Sequence, residues 1–323
     1  MKKERLRKLT GLLVLILLVV LLAGCGSKSK DKKDADITLG GESFNEVVTK
    51  VSNYAIKHNS ADTVAASKQD WLVLSFKKLG IKDSENFASE EYNNQYYDGL
   101  RKLLKQKKGI LDKFNQTEYA RTSMALLAIG KNPTDVEGYN LVIKMDNYNA
   151  VKAQGLNAEY YALHLNNWGK YKFKNEKKYL NDILKAQHKD GGFSYGAGKS
   201  DIDMTAMAVQ ALAPYRDENK RAKPVIEKAL KFLSKKQNGD GGYDTCESVA
   251  QVIIMFSCLK ENPLTAEGFQ KKEKNLGDGL MVYYKGDGFC HSKDNEINEL
   301  ATEQALRALA SIKLGMKGKS IYE

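Results

Sequence analysis

The sequence of 323 residues predicts an all-α fold built from about six helical hairpins. The first observation behind this prediction is a segment that occurs twice, as QHKDGGF at 187–193 and as QNGDGGY at 237–243. The second is that Lys-rich segments with one apolar stripe alternate with segments that are apolar on nearly all sides. Such an alternation is expected of helices that cover a core and helices that are buried within it. No stretch of the sequence shows a β pattern of any length.

The N-terminal segment predicts export and a membrane anchor. A basic start precedes an apolar run at 12–23, which is shorter than the roughly 20 residues that a membrane-spanning helix needs. The run ends in Leu22-Ala23-Gly24-Cys25, which resembles the bacterial lipobox, in which the Cys is diacylated and becomes the new N-terminus. We therefore expect a lipoprotein signal peptide at 1–24 and lipidation of Cys25, which places the protein on the extracellular face of the membrane. The alternative is an uncleaved membrane anchor.

Residues 25–42 are predicted to be the lipidated Cys and a flexible linker, and residues 43–323 the folded domain. The formal net charge is +11, of which the signal segment contributes +4 and residues 25–36 contribute +1. The remaining +6 is spread over many lysines without an arginine-rich patch, so nucleic acid is not an expected partner. After Cys25 only Cys246, Cys258 and Cys290 remain, and this odd number indicates one disulfide bond or three free thiols.

The helical pairs can be placed along the chain from their patterns. Residues 225–237 carry one apolar stripe and one lysine face, which predicts an outer helix, whereas residues 205–213 and 248–259 are apolar all round, which predicts inner helices. Gly-Gly turns precede inner helices, and Asn-Pro turns follow them and start outer ones. The predicted pairs are 43–58 with 66–79, 91–107 with 118–129, 135–146 with 156–167, 177–187 with 202–214, 224–236 with 246–259, and 272–285 with 295–313. Six such pairs could close into a ring or stack into an open solenoid.

The duplicated segment resembles the QW repeat of squalene–hopene cyclases and related terpenoid cyclases. The matching positions are Gln187, Gly191 and Phe193 in the first copy, Gln237, Gly241 and Tyr243 in the second, and Gly288 and Phe289 in a worn third copy. The resemblance implies the α/α toroid of the terpenoid cyclase and protein prenyltransferase superfamily, as in bacterial surface proteins that carry such repeats. The repeat itself is structural, and we expect it to indicate the fold more strongly than the chemistry.

The segment DIDMTA at 201–206 resembles the D-x-D-D-T-A motif of class II terpenoid cyclases. In that family the middle Asp is the acid that protonates an alkene or epoxide, so the resemblance makes Asp203 the candidate catalytic residue. Met204 stands where the motif has its last Asp, which removes a carboxyl that would tune the acid. Two other interpretations are that Asp201 or Asp203 caps an inner helix, or that they contact a ligand.

A zinc site like that of protein prenyltransferase β subunits is a further possibility. Those subunits use an Asp-x-Cys and a later His, which here would be Asp244, Cys246 and His291. These residue types suit zinc. The alternatives are a free or disulfide-bonded pair of Cys246 and Cys290 and a solvated histidine.

Aligning the inner helices predicts a ligand-binding rim at their N-termini. The candidate ligand-binding residues are Asp70, Trp71, Tyr119, Tyr160, Asp201, Asp203 and Glu247. Helix N-termini, aromatic side chains and a few carboxylates suit an apolar ligand with a polar head, although tyrosines on helices are commonly core residues.

The sequence favours binding without catalysis, by a toroid whose ligand is an isoprenoid, a corrinoid or a peptide. The corrinoid follows from a resemblance to the transcobalamin and intrinsic-factor group, whose toroid is a binding domain. The alternatives are a terpenoid-cyclase-type enzyme that uses Asp203 as general acid, and a module that binds another surface protein.

Overall fold

The computed structural model describes residues 37–63, 67–81 and 89–323. The predicted signal peptide, Cys25 and the linker up to residue 36 lie outside the described residues. Thr38–Glu323 form one compact unit. No helix in the described part of the chain is long and apolar enough to cross a membrane.

The described residues form helices joined by turns and by longer loops. The helices are α1 (Phe44–Lys57), α2 (Ser67–Leu79), α3 (Ser89–Gln106), α4 (Gln116–Ala128), α5 (Tyr148–Lys152), α6 (Leu156–Gly169), α7 (Glu176–Lys185), α8 (Ile202–Leu212), α9 (Ala222–Lys236), α10 (Cys246–Cys258), α11 (Leu276–Met281) and α12 (Glu299–Gly315). Short 3₁₀ helices span Val142–Asp146 and Ala213–Tyr215, and a hairpin of two-residue strands joins β1 (Thr38–Leu39) to β2 (Glu42–Ser43). The sequence predicts no strand, and this hairpin is the one antiparallel strand pair among the described residues.

The even-numbered helices close into a ring. Each of α2, α4, α6, α8 and α10 contacts the next even-numbered helix, and α12 contacts α2. These inner helices are buried on most sides, and in α10 twelve of the thirteen residues are buried. The protein is therefore an all-α toroid with a closed inner barrel, as predicted, and not an open solenoid.

The odd-numbered helices cover the barrel from outside. α3 packs on α2, α7 on α6, α9 on α8, α11 on α10, and α1 on α12, which completes the outer layer. In α9 the buried residues Ile226, Ala229 and Leu233 recur every three or four positions, which is the pattern of a helix with one buried stripe.

Two predicted outer helices are incomplete. The segment predicted as a helix at 135–146 is a turn followed by the 3₁₀ helix Val142–Asp146 and the short α5. Asn140 accepts hydrogen bonds from the backbone N–H groups of Val142 and Ile143, and such local bonds compete with a helix. The helix predicted at 272–285 is only the six-residue α11, which contains Gly277 and Gly279.

The duplicated turn ties neighbouring hairpins together. The amide of Gln237 donates to the carbonyl oxygen of Gly241 at 2.7 Å and to that of Phe269 at 3.0 Å, which lies before the next outer helix. Gln187 makes the equivalent bonds to Gly191 and Val225. The glutamine therefore cross-links two hairpins, in addition to closing its own turn.

An inner-helix threonine holds the aromatic residue of the turn. The hydroxyl of Thr205 accepts from the backbone N–H of Phe193 at 2.9 Å, and the hydroxyl of Thr302 accepts from that of Phe289 at 3.0 Å. Phe193 and Phe289 are fully buried, so each threonine satisfies a backbone donor that water cannot reach. These bonds fix where α8 and α12 begin relative to their turns.

Candidate functional site

Two hydrogen-bonded pairs of side chains lie side by side at the N-terminal ends of α8 and α10, and we call them together the rim cluster: Asp203 with Ser248, and Glu247 with His291. The hydroxyl of Ser248 donates to Oδ1 of Asp203 at 2.6 Å, and Nδ1 of His291 lies 2.9 Å from Oε2 of Glu247. The backbone N–H of Cys246 donates to the carbonyl oxygen of His291 at 3.0 Å, which holds His291 against the first turn of α10. Glu247 and Ser248 are adjacent residues of α10, so this helix brings the two carboxyl groups of Asp203 and Glu247 to the same place.

The local sequence explains why these carboxylates share one level of the barrel. Asp201 caps α8 by accepting from the backbone N–H of Met204 at 2.9 Å, and Thr245 caps α10 by accepting from that of Ser248 at 3.2 Å. Asp203 and Glu247 each lie two residues after the capping residue. Asp201 is therefore a helix cap, the structural role that the sequence offered for it.

Burial raises the pKa of Asp203 to about 6. The nearby carboxyls of Asp201 and Glu247 act in the same direction, whereas the hydrogen bond from Ser248 and the proximity of His291 act against it. A carboxyl with this pKa is about nine-tenths ionised at pH 7. Asp203 is thus a half-buried carboxylate at neutral pH, and it accepts a hydrogen bond in that form.

Asp70, in the first turn of α2, has its partners in α3 and α4. Its carboxylate accepts from the hydroxyl of Tyr96 at 2.5 Å and from that of Thr122 at 3.3 Å, and Nε of Arg121 lies 3.8 Å away. The side chain is fully buried, and burial raises its pKa to about 7 against the opposing effect of Arg121. Asp70 therefore links three helices inside the wall.

Trp71 lies inside the barrel, below the rim. The guanidinium of Arg307 lies 4.4 Å from the centroid of its ring, and the rings of Tyr161 and Tyr322 are neighbours at 5.7 and 6.5 Å. Only 2% of Trp71 is exposed. Its ring is therefore covered by the protein's own cation and aromatic side chains.

Tyr119 and Tyr160 belong to the core of the wall. The hydroxyl of Tyr119 donates to the carbonyl oxygen of Asp112 and accepts from the backbone N–H of Leu111, so it holds the turn that precedes α4. Tyr160 is fully buried, and its hydroxyl has no hydrogen-bond partner among the described residues. Both side chains fit the packing interpretation rather than a ligand surface.

The three residues proposed as zinc ligands have separate partners. Asp244 accepts from the amide of Asn238, the thiol of the fully buried Cys246 points to the carbonyl oxygen of Ala301, and His291 pairs with Glu247. Within residues 37–63, 67–81 and 89–323, no group of three or more His, Cys, Asp or Glu side chains is arranged to hold a metal ion. The residues do not fit the zinc site, and Cys246, Cys258 and Cys290 are free, buried thiols.

The interior of the barrel is occupied by polar side chains that the sequence patterns did not reveal. Arg307 lies 3.9 Å from the buried Glu303, whose pKa burial raises to about 7. Gln210 donates to Gln251, which in turn donates to Gln304 at 3.0 Å. The pair Glu303 and Arg307, spaced by four residues in an otherwise apolar helix, was the available signal for a polar interior.

Comparisons with known proteins support the fold. No protein-family model and no curated protein matches the chain. Among solved structures the chain is similar to ent-copalyl diphosphate synthase from Streptomyces platensis, with a TM-score of 0.51 and 18% sequence identity. The match covers 77% of this chain and 50% of the other, so this chain spans about half the length of that protein. The chain has the α/α toroid of the terpenoid cyclases.

Proposed function

We propose that the protein is lipid-anchored on the extracellular face of the cell membrane, and that its toroid binds a small amphipathic ligand at the rim cluster without transforming it. The observation that carries this proposal is the position of Asp203, which is half-buried at the rim and accepts a hydrogen bond from Ser248 at 2.6 Å. A carboxyl group that accepts one hydrogen bond keeps further acceptor positions for a donor or a cation.

The substitution of the motif's last Asp argues against catalysis of the class II cyclase type. Protonation of an alkene needs a strong carboxylic acid that neighbouring carboxyls help to tune. Met204 stands in place of the neighbouring carboxyl of the motif, and the hydroxyl of Ser248 donates to Asp203, which favours its ionised form. We therefore propose that Asp203 accepts hydrogen bonds from a ligand and does not protonate it.

The rim offers both polar and apolar contacts. Leu300, two residues after the capping residue Asn298 of α12, corresponds to Asp203 in α8 and Glu247 in α10. Its side chain is 49% exposed. Two carboxylates and an exposed leucine at corresponding positions suit a ligand with a cationic or N–H-donating head and an apolar part. A basic peptide or the amides of a corrinoid fit this rim better than the diphosphate of an isoprenoid, which the carboxylates would repel.

The filled barrel limits how deeply the ligand can enter. Trp71, Glu303 and Arg307 are each at most 3% exposed and occupy the interior below the rim. The ligand is therefore proposed to lie on the rim. The same filled interior also favours the second candidate, a module that binds a partner protein through this face.

The membrane anchor rests on the sequence of residues 1–25, which resembles a lipoprotein signal peptide with its lipobox. A lipid on Cys25 and a polar linker would hold the toroid close to the membrane surface. A second membrane signal, such as the lysines of the linker, would strengthen a single lipid anchor.

The test is to purify the full chain from its membrane, denature it and identify the released small molecules by mass spectrometry. We expect one species close to equimolar with the wild-type chain, and its near-complete loss in Asp203→Asn combined with Glu247→Gln, because two charge-assisted hydrogen bonds of about 1.5–3 kcal/mol each correspond to about a hundredfold in affinity or more. Glu227→Gln, an exposed acid on the outer helix α9, is the matched control and should retain the species. Equal retention by all variants would refute the rim as the binding site, and recovery of a partner protein alone would favour the second candidate.

A further inference from the structure

A cavity lies at the end of the barrel opposite the rim cluster, where the inner helices end. Its volume is about 430 Å³, within the range of roughly 300–1,000 Å³ that is usual for small-molecule sites. The wall includes His164 of α6, Gln210 of α8, Cys258 of α10 and Tyr322 of the segment after α12. The cavity is thus separate from the rim cluster, and a ligand bound here is independent of the function proposed for the rim.

The segment after α12 closes one side of this cavity in a fixed conformation. The ring of Tyr322 lies 4.4 Å from that of His164 and 6.2 Å from that of Trp168. The backbone N–H of Tyr322 donates to the hydroxyl of Ser320 at 3.1 Å, and Nζ of Lys260 lies 3.2 Å from the side-chain carboxylate of Glu323. The cavity is therefore formed before any ligand arrives.

Two buried polar groups reach this cavity without a partner in the described part of the chain. His164 is 5% exposed, and its ring makes aromatic contacts with Tyr161 and Tyr322 but no hydrogen bond. Gln210 is 2% exposed, and its amide nitrogen donates to the carbonyl oxygen and to Oε1 of Gln251. Oε1 of Gln210 accepts no hydrogen bond there. Because His164 and Gln210 line the cavity, these two open groups are available to a molecule that occupies it.

The charges around the cavity favour an uncharged occupant. Burial lowers the pKa of His164 to about 3, and the nearby cation of Arg307 acts in the same direction, so the imidazole is neutral. At the mouth, Arg216 and Lys260 are balanced by Asp217 and Glu323. A charged ligand would meet a like charge at this mouth, and at the buried end the cation of Arg307 is already paired with Glu303 at 3.9 Å.

We propose that this cavity binds a small uncharged amide or lactam, whose N–H donates to Oε1 of Gln210 and whose carbonyl oxygen accepts from a ring nitrogen of His164. An amide edge presents a donor beside an acceptor, which is the combination that the two open groups require. The apolar surface of Pro214 and Leu259 covers the rest of such a molecule.

The test uses uracil as the probe, with equilibrium dialysis against the detergent-solubilised full chain. We expect a dissociation constant of about 1 mM or lower, which corresponds to about 4 kcal/mol for this small molecule. The methylated control 1,3-dimethyluracil has no N–H and should bind about tenfold more weakly. This comparison needs no protein variant, so it stands even if a substitution impairs folding.

The variant His164→Phe keeps the aromatic contacts and removes both ring nitrogens, and we expect it to weaken uracil binding about tenfold. The matched control is His58→Phe, because His58 also stacks on a tyrosine, Tyr54, at 4.0 Å but lies at the end of α1. No binding of uracil at concentrations of about 10 mM, or equal binding of the two uracils, would overturn the proposal. A folded His164→Phe variant that binds uracil like the wild type would overturn it as well.

Discussion

The substitution Gly241→Ala tests how tightly the duplicated turn is packed against the next hairpin. Gly241 has a φ of +87°, and a Cβ atom there would lie 2.2 Å from the backbone carbonyl oxygen of Asn275. A positive φ costs an L-residue about 1–2 kcal/mol. The overpacking adds about 1–3 kcal/mol, because the obstacle is backbone and cannot rotate away. We therefore expect the free energy of unfolding to fall by about 2–5 kcal/mol.

The matched control is Gly286→Ala in the worn copy of the turn. Gly286 has a φ of +91°, and nothing lies within 4 Å of the added Cβ atom. The free energy of unfolding of this variant should fall only by the cost of the positive φ, which is about 1–2 kcal/mol. Urea unfolding followed by far-UV circular dichroism measures both, with the m-value unchanged if the fold is kept. If Gly241→Ala is no more destabilised than Gly286→Ala, the inference that the turn packs closely on the backbone of Asn275 is wrong.

Four further results are expected. Stability should fall between about pH 4 and pH 7, because burial raises the pKa of Asp70 to about 7 and that of Asp203 to about 6, so the unfolded chain releases these protons at lower pH than the folded one; urea midpoints across this range test it, and Asp70→Asn should flatten the curve. Thr302→Val should cost about 1–3 kcal/mol by leaving the backbone N–H of Phe289 unpaired, whereas Thr49→Val on the exposed face of α1 should cost little, in the same assay. The fully buried thiols of Cys246 and Cys290 should resist a thiol reagent in the native chain and react after denaturation, and rapid native labelling would contradict their burial. Cys25→Ala should move the protein from the membrane fraction to the soluble fraction, and unchanged fractionation would contradict the lipid anchor.

The ring of hairpins could be predicted from the sequence because its signals are local. Two copies of the Gln-Gly-Gly-aromatic turn and the contrast between one-sided and all-round apolar segments locate outer and inner helices. The predictions of two full-length outer helices were wrong for local reasons. Asn140 accepts hydrogen bonds from the backbone N–H groups of the residues that follow it. Lys272 and Glu273 have a positive φ and Asn275 caps α11, so this helix begins only at Leu276.

The rim could be predicted only where helix caps set the register. Asp203 and Glu247 share a level because each follows its capping residue by two positions. The partners of Asp70 could not be predicted in this way, because its hydrogen-bond donor Tyr96 belongs to α3 and is 26 residues away in sequence. The cavity at the other end depends on Tyr322, and no local pattern indicates that this segment returns to the barrel.

The most direct test of binding without transformation is to return the molecule released from the purified chain to ligand-free protein in D₂O and to record its mass. We expect it to be recovered unchanged, with no deuterium on carbon, because Asp203 does not protonate it. A deuterium-containing product that Asp203→Asn abolishes would contradict binding without transformation and establish catalysis. A wild-type chain that releases no small molecule would contradict the binding function itself.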